Sequence, residues 1–135
     1  DPATRAAICN DMLDRGADAT VVDYGQNTLT LLLSHDELGD GDPALVQRLV
    51  DTGADVNFRE SHGDTPIKLA VKSGAESDEQ RRPIYEALFS KDVDLDEPSS
   101  VRNPKNKIGE WLRMCVDHQP EGLKALDEFL TVRGF

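Results

Sequence analysis

The side chains able to do chemistry are few and scattered. The run Asp36-Glu37-Leu38-Gly39-Asp40-Gly41-Asp42 gathers four carboxylates in seven residues, and hard cations favour clustered carboxylates. It lacks the full series of oxygen ligands and the closing Glu of an EF-hand loop. It therefore reads as a solvated turn whose Asp42 caps a helix begun at Pro43. The three histidines, His35, His62 and His118, are dispersed along the chain. Cys9 and Cys115 are far apart and fit no metal or redox spacing. No G-x-S-x-G, P-loop, C-x-x-C or H-E-x-x-H pattern occurs, so none of the usual combinations of nucleophile and base, metal cluster or phosphate loop is expected. The reading is of no catalytic residue, no metal and no cofactor. Arg102, Lys105 and Lys107 form a small basic patch; without interleaved aromatics it reads as a solvated loop and not a nucleic-acid contact.

Charge narrows the partners further. The 135 residues carry 26 acidic and 15 basic side chains, a formal net charge of −11. Such a surface repels phosphate backbones and anionic lipids, which excludes nucleic acid and membrane as favoured partners. A protein partner, a basic one included, stays open. No apolar run approaches the 18 residues a membrane helix needs. The unpaired cysteines predict a reducing, cytoplasmic compartment. The chain opens on Asp1 with no secretory leader, as expected of a processed or excised piece of something longer.

The elements that must position any site follow from periodicity. Four segments carry apolar residues at i, i+1, i+4 and i+5: Ile8-Cys9-Met12-Leu13, Leu45-Val46-Leu49-Val50, Ile84-Tyr85-Leu88-Phe89 and Ala125-Leu126-Phe129-Leu130. That spacing places each set on one helical stripe. The sets recur at offsets of 37, 39 and 41 residues, which is an internal repeat. After the first two helices stand "DRGADATVVDYG" (14–25) and "DTGADVNFRESHG" (51–63), with Gly16 and Gly53 where a helix end favours a left-handed residue. The third copy, "SKDVDLDE" (90–97), puts Asp92 at that place. A shorter apolar helix then follows: "GQNTLTLLLSHD" (25–36) aligns with "GDTPIKLAVKSG" (63–74). Thr65 reads as its N-cap, Pro66 as its first residue and Gly74 as its stop. Extra residues in 36–42 and 75–80 lengthen the loops between short and long helices, and Pro43 and Pro83 are expected to restart the long ones. Cys9, Cys115 and Trp111 read as packing residues. Residues 103–135 read as two helices split at Gln119-Pro120, with Arg113, Asp117, Lys124 and Asp127 on a polar side.

"GADVN" followed by "GDTPIKLAVKSG" resembles the ankyrin repeat, whose short inner helix opens T-P-L-H-x-A. The resemblance is closest across residues 51–74, looser across 14–36 and faint after about residue 98. Lys68 and Thr30 stand where the family has His, Asn27-Thr28 replaces Thr-Pro, and the period is longer than the family's. The resemblance implies an all-α helix-turn-helix solenoid with short β-hairpin fingers and about three and a half repeats in one domain, 1–135. Its parts would be a partial N-terminal repeat (1–22), two repeats (23–59 and 60–97) and a divergent capping repeat (98–135). It further implies protein binding through the concave face of fingers and inner helices. That face would include Tyr24 and Gln26 on the first finger and Arg59, Ser61, His62 and Asp64 on the second. His35, Lys72 and Ser73 would stand at the inner helix ends. Two alternatives remain: an acidic inhibitor or antidote of a basic protein, and a structural segment of a longer chain. The first long helix lacks an upstream partner, so self-association through Ile8 and Met12 is a further expectation.

Overall fold

In the computed structural model, residues 1–34, 37–102 and 104–135 are described. Among them the chain is mostly helical, with one two-stranded hairpin. In order, the elements are α1 (Pro2–Asp14), β1 (Val22–Asp23), β2 (Gln26–Asn27), α2 (Thr28–Leu33), α3 (Asp42–Asp51), α4 (Pro66–Lys72), α5 (Asp78–Phe89), α6 (Ile108–His118) and α7 (Lys124–Val132). The long helices pack in succession, α1 on α3, α3 on α5 and α5 on α7. The short helix α2 packs on α4, and α2, α4 and α6 each pair with the helix that follows, although α6 is longer than α7.

The apolar stripes explain this order. Leu45, Val46, Leu49 and Val50 of α3 and Ile84, Tyr85, Leu88 and Phe89 of α5 are all buried, as are Leu126 and Leu130 of α7. From α2, α4 and α6 come Leu29, Leu33, Ile67, Ile108 and Leu112. Most of the driving force is this aliphatic burial, about 1.5–3 kcal/mol for each large side chain. The stripe of α1 is different. Ala6 is buried and Cys9 and Leu13 are half-buried, but Ile8 and Met12 are each 55% exposed.

Local signals set the helix ends. Asp1 caps α1 by accepting from Thr4 N at 2.9 Å. At α2, Asn27 Oδ1 accepts from Thr30 N at 2.8 Å while Thr30 Oγ1 accepts from Asn27 N at 3.1 Å, a reciprocal cap. Gly16 (φ +91°) and Gly53 (φ +105°) take the left-handed conformation just after α1 and α3.

Four local expectations need correction. Thr65 has N-cap dihedrals, but its buried hydroxyl has no hydrogen-bond partner. The helix α4 stops because Ser73 turns extended, and Gly74 does not take a positive φ. Pro83 lies inside α5 and does not start it, because Ser77, further upstream, caps the helix by accepting from Gln80 N. The acids Asp78 and Glu79 then fill the first turn, where they complement the exposed N–H groups. Asp42 is no solvated cap either. It is fully buried, accepts from Gly39 N at 2.8 Å and pairs with Arg5 of α1. The guanidinium and the backbone N–H both fall on Oδ2 and offset much of the cost of burying the charge, while Oδ1 stays buried without a partner among the described residues.

The lengthened loops lie side by side: Leu38 N donates to Gly74 O at 3.1 Å. At the opposite ends of the short helices the finger segments line up. The hairpin β1–β2 pairs Val22 with Asn27 and Asp23 with Gln26. The second finger closes through Glu60 N to Asp64 O (2.9 Å), and the third through Ser99 N to Asn106 O (2.7 Å).

Candidate functional site

The first finger turns on Tyr24 (φ +49°) and Gly25 (φ +73°). A two-residue hairpin loop with both φ positive twists in the sense its strands require. Glycine adopts that conformation freely; tyrosine holds it at a cost of about 1–3 kcal/mol. Among the described residues Tyr24 is the only non-glycine with positive φ, and its side chain stands 94% exposed at the tip. Strain held to present an aromatic ring to solvent is not explained by packing.

The second finger is built onto the first. Ser61 N donates to Gly25 O at 3.0 Å, and a Cβ on Gly25 would meet Ser61 Cβ at 2.8 Å. Beneath the turn lies Glu60, a buried carboxylate. It accepts from Asp64 N at 2.8 Å and from Gln26 Nε2 at 3.1 Å, and His62 Nδ1 lies 2.9 Å away. Burial alone pushes this carboxyl up, but those partners together outweigh it and hold it below its ordinary value of 4.5. Because the folded value is depressed, the network's stabilisation is present above the ordinary carboxylate range and is lost as pH falls through the folded value. Denaturant midpoints followed downward from neutral pH are expected to fall less in Glu60→Gln than in the unaltered chain. Parallel profiles would remove Glu60 as an acid-sensitive group.

Behind the fingers, α4 and α6 bring another cluster together. Asp64 lies 3.3 Å from Lys68 Nζ and 3.2 Å from Lys72 Nζ. Both ammonium groups lie over the Trp111 ring, at 4.8 and 5.6 Å from its centroid. The buried Lys68 also donates to Ser99 O of the third finger. Thus the residue standing at the resembled family's His position ties two fingers to one helix. Lys68→Ala is expected to cost about 2–3 kcal/mol in unfolding experiments, because it removes a charged hydrogen bond and a cation–ring attraction together. Lys68→Met, which keeps the stem on Trp111, should recover part of that. Equal stability of all three proteins would contradict this role.

The nine residues expected on the face divide clearly. Tyr24, Gln26, Ser61, His62 and Asp64 lie along the first two fingers, and Lys72, at the far end of α4, reaches back to Asp64. Arg59 does not reach out: its guanidinium donates to Gly63 O at 2.7 Å and to Pro98 O, clamping finger two to finger three. Ser73 is buried, with its hydroxyl donated to Ala70 O, so it offers nothing to a partner. His35 lies outside the described residues. Sequence reasoning missed Glu60, which folds back over the N–H four residues on, and Val101, which is 77% exposed at the third finger tip. An acid four residues before Asp64 in a Gly-containing turn was the available signal for the first. The second had none, because it depends on how fingers align.

Among the described residues no group of three or more His, Cys, Asp or Glu side chains could hold a metal ion. No helix there is long and apolar enough to cross a membrane. The half-buried Cys115 thiol is pushed up by burial, which lowers its reactivity at neutral pH. No protein-family model and no curated protein sequence matches the chain.

Proposed function

We propose that this chain is a non-enzymatic protein-interaction module. In this reading it is an ankyrin-like solenoid of helical pairs, lying in the cytoplasm, and it binds a partner protein across the finger tips and the exposed side of the short helices. The observation that carries the reading is Tyr24, held in a strained left-handed conformation with its ring in solvent. Beside it runs a hydrogen-bonded polar row of Gln26, Glu60, His62 and Asp64. Protein interfaces favour such exposed tyrosines on rigid supports, where little side-chain freedom is lost on binding. Repeat arrays present an extended surface of this kind because each unit rotates slightly on the last. The test is retention of a partner from an extract of the source organism by the unaltered domain and by a Tyr24→Ala, His62→Ala double variant. Asp64 is left in place because it holds Lys68 and Lys72. A protein kept by the first bait and lost by the second supports the face; a protein kept equally by both removes it.

A second reading rests on a different observation. Ile8 and Met12 project from α1, and a hollow of about 290 Å³ lies beside them, lined by Cys9, Met12, Leu13, Ala19, Val21 and Leu49. An apolar end of that kind suits a structural role, covered by further chain or by a second copy. Ultracentrifugation of Ile8→Glu, Met12→Glu against the unaltered chain separates the two: a concentration-dependent dimer abolished by the variant supports self-association.

A further inference from the structure

The third finger reverses the charge of its surroundings. In a chain of net charge −11, residues 98–107 contain Arg102, Lys105 and Lys107 and no acid. Lys107 is occupied by Asp96 at 3.0 Å. Arg102 and Lys105 are exposed and form no ion pair with any described residue. The finger is not a free loop, because Arg59 and Lys68 hold its Pro98 and Ser99 carbonyls. A Cβ on Gly63 would lie 3.8 Å from Val101 Cγ2. The tips therefore form one ridge in which Gly25 touches Ser61 and Gly63 lies against Val101.

Along that ridge the side chains are graded. Tyr24 stands at one end with Asp23 beside it, the 81% exposed ring of His62 is in the middle, and Val101, Arg102 and Lys105 are at the other end. Of the two acids under the middle, Asp64 is offset by two lysines, while Glu60 keeps its charge but is buried beneath the turn among its donors. We infer that the finger ridge takes an acidic segment of a partner protein, an extended stretch with Asp or Glu over Arg102 and Lys105 and apolar side chains against Val101 and Tyr24. The inference rests on the protein-binding reading above and gives it a charge sign and a direction. A short acidic peptide is favoured over a nucleic acid because Arg102 and Lys105 attract only locally. The acidic remainder of the domain lies within a Debye length or two, about 10 Å each at 0.1 M salt, and repels a long phosphate backbone.

The probe is a surface-displayed library of random 12-residue peptides, sorted for binding to the full chain and, as a control, to the Tyr24→Ala, His62→Ala variant. Enriched peptides are then synthesised and measured by fluorescence anisotropy beside a 12-nucleotide oligothymidylate. The expected result is enrichment of Asp- and Glu-rich sequences with interspersed apolar residues. Their binding should weaken about tenfold or more in Arg102→Glu, Lys105→Glu and in high salt. These two side chains are exposed and unpaired, so the variant should fold, and circular dichroism and melting checks that. Basic or neutral peptides that still need Tyr24 would overturn the inference and leave the binding face standing. Oligothymidylate bound more tightly than any peptide would overturn it in favour of a nucleic-acid ligand. No enrichment over the control variant would overturn both.

Discussion

Asp78→Ala is expected to be the most damaging single substitution in the chain, costing about 3–5 kcal/mol because it strips the partner from several buried groups at once. The Asp78 carboxylate accepts from Tyr85 Oη at 2.6 Å, from Leu126 N at 2.8 Å and from Arg81 at 3.3 Å. It therefore ties the start of α5 to the middle of the same helix and to α7. Alanine would leave the Tyr85 hydroxyl and the Leu126 N–H without their acceptor in a buried region, while the Arg81 guanidinium would keep only the Ser73 carbonyl among the described residues. Burial first, and the neighbouring carboxylate second, already push the Tyr85 phenol far up, so it is a donor at every working pH. For a chain of this length the melting temperature should fall by about 10 °C or more. Asp78→Asn should do less harm, since its amide oxygen can still accept. A loss under about 1 kcal/mol in Asp78→Ala would mean that the three bonds are individually replaceable by solvent.

Tyr24→Ala is expected to act oppositely, weakening partner binding about thirtyfold or more while leaving stability unchanged or improved. Its ring touches solvent and buries nothing, so little packing is lost. Removing a bulky side chain from a left-handed position does not relieve the φ strain, but Tyr24→Gly does, and that variant should melt higher than the unaltered chain. Calorimetry of both variants, beside binding of a captured partner, checks the separation. A substitution that damaged folding and left binding intact would contradict the assignment of Tyr24 to the interface.

Why the role of Asp78 was invisible in the sequence and the turn at Tyr24 was not is a matter of range. Helix stripes, the left-handed glycines Gly16 and Gly53, and the placement of Tyr24 at a turn are local features, set by residues a few positions apart. The mostly helical fold was legible on those grounds, but the alternation of short and long helices fails in the last pair, where α6 has 11 residues and α7 has 9. Asp78 bonds a residue 48 positions away, and Asp42 pairs across 37 positions with Arg5. Nothing in "SDEQRRP" or "GDGDP" distinguishes an acid that will be buried from one that will be solvated. Pro83 misled for a related reason. Proline favours a first helical turn, but Ser77 with two following acids is the stronger start, and the ring can be carried one turn in. Arg59 and Ser73 looked like surface residues because polar side chains usually are. Here one clamps neighbouring fingers and the other closes a helix end. Arg102 and Lys105 read as a solvated loop, and both are exposed; that their finger lies against the second, with Val101 next to Gly63, had no local signal.

The central claim is that a partner protein lies against the finger ridge. The direct measurement is to install a photo-crosslinking amino acid at position 24 and, in a second protein, at Glu86, which is exposed on the long helix α5. Both are irradiated in an extract of the source organism and the adducts identified by mass spectrometry. A discrete adduct from position 24, absent from position 86 and competed away by the unmodified domain, is expected. Adducts from position 86 alone, or the same set from both positions, would contradict it.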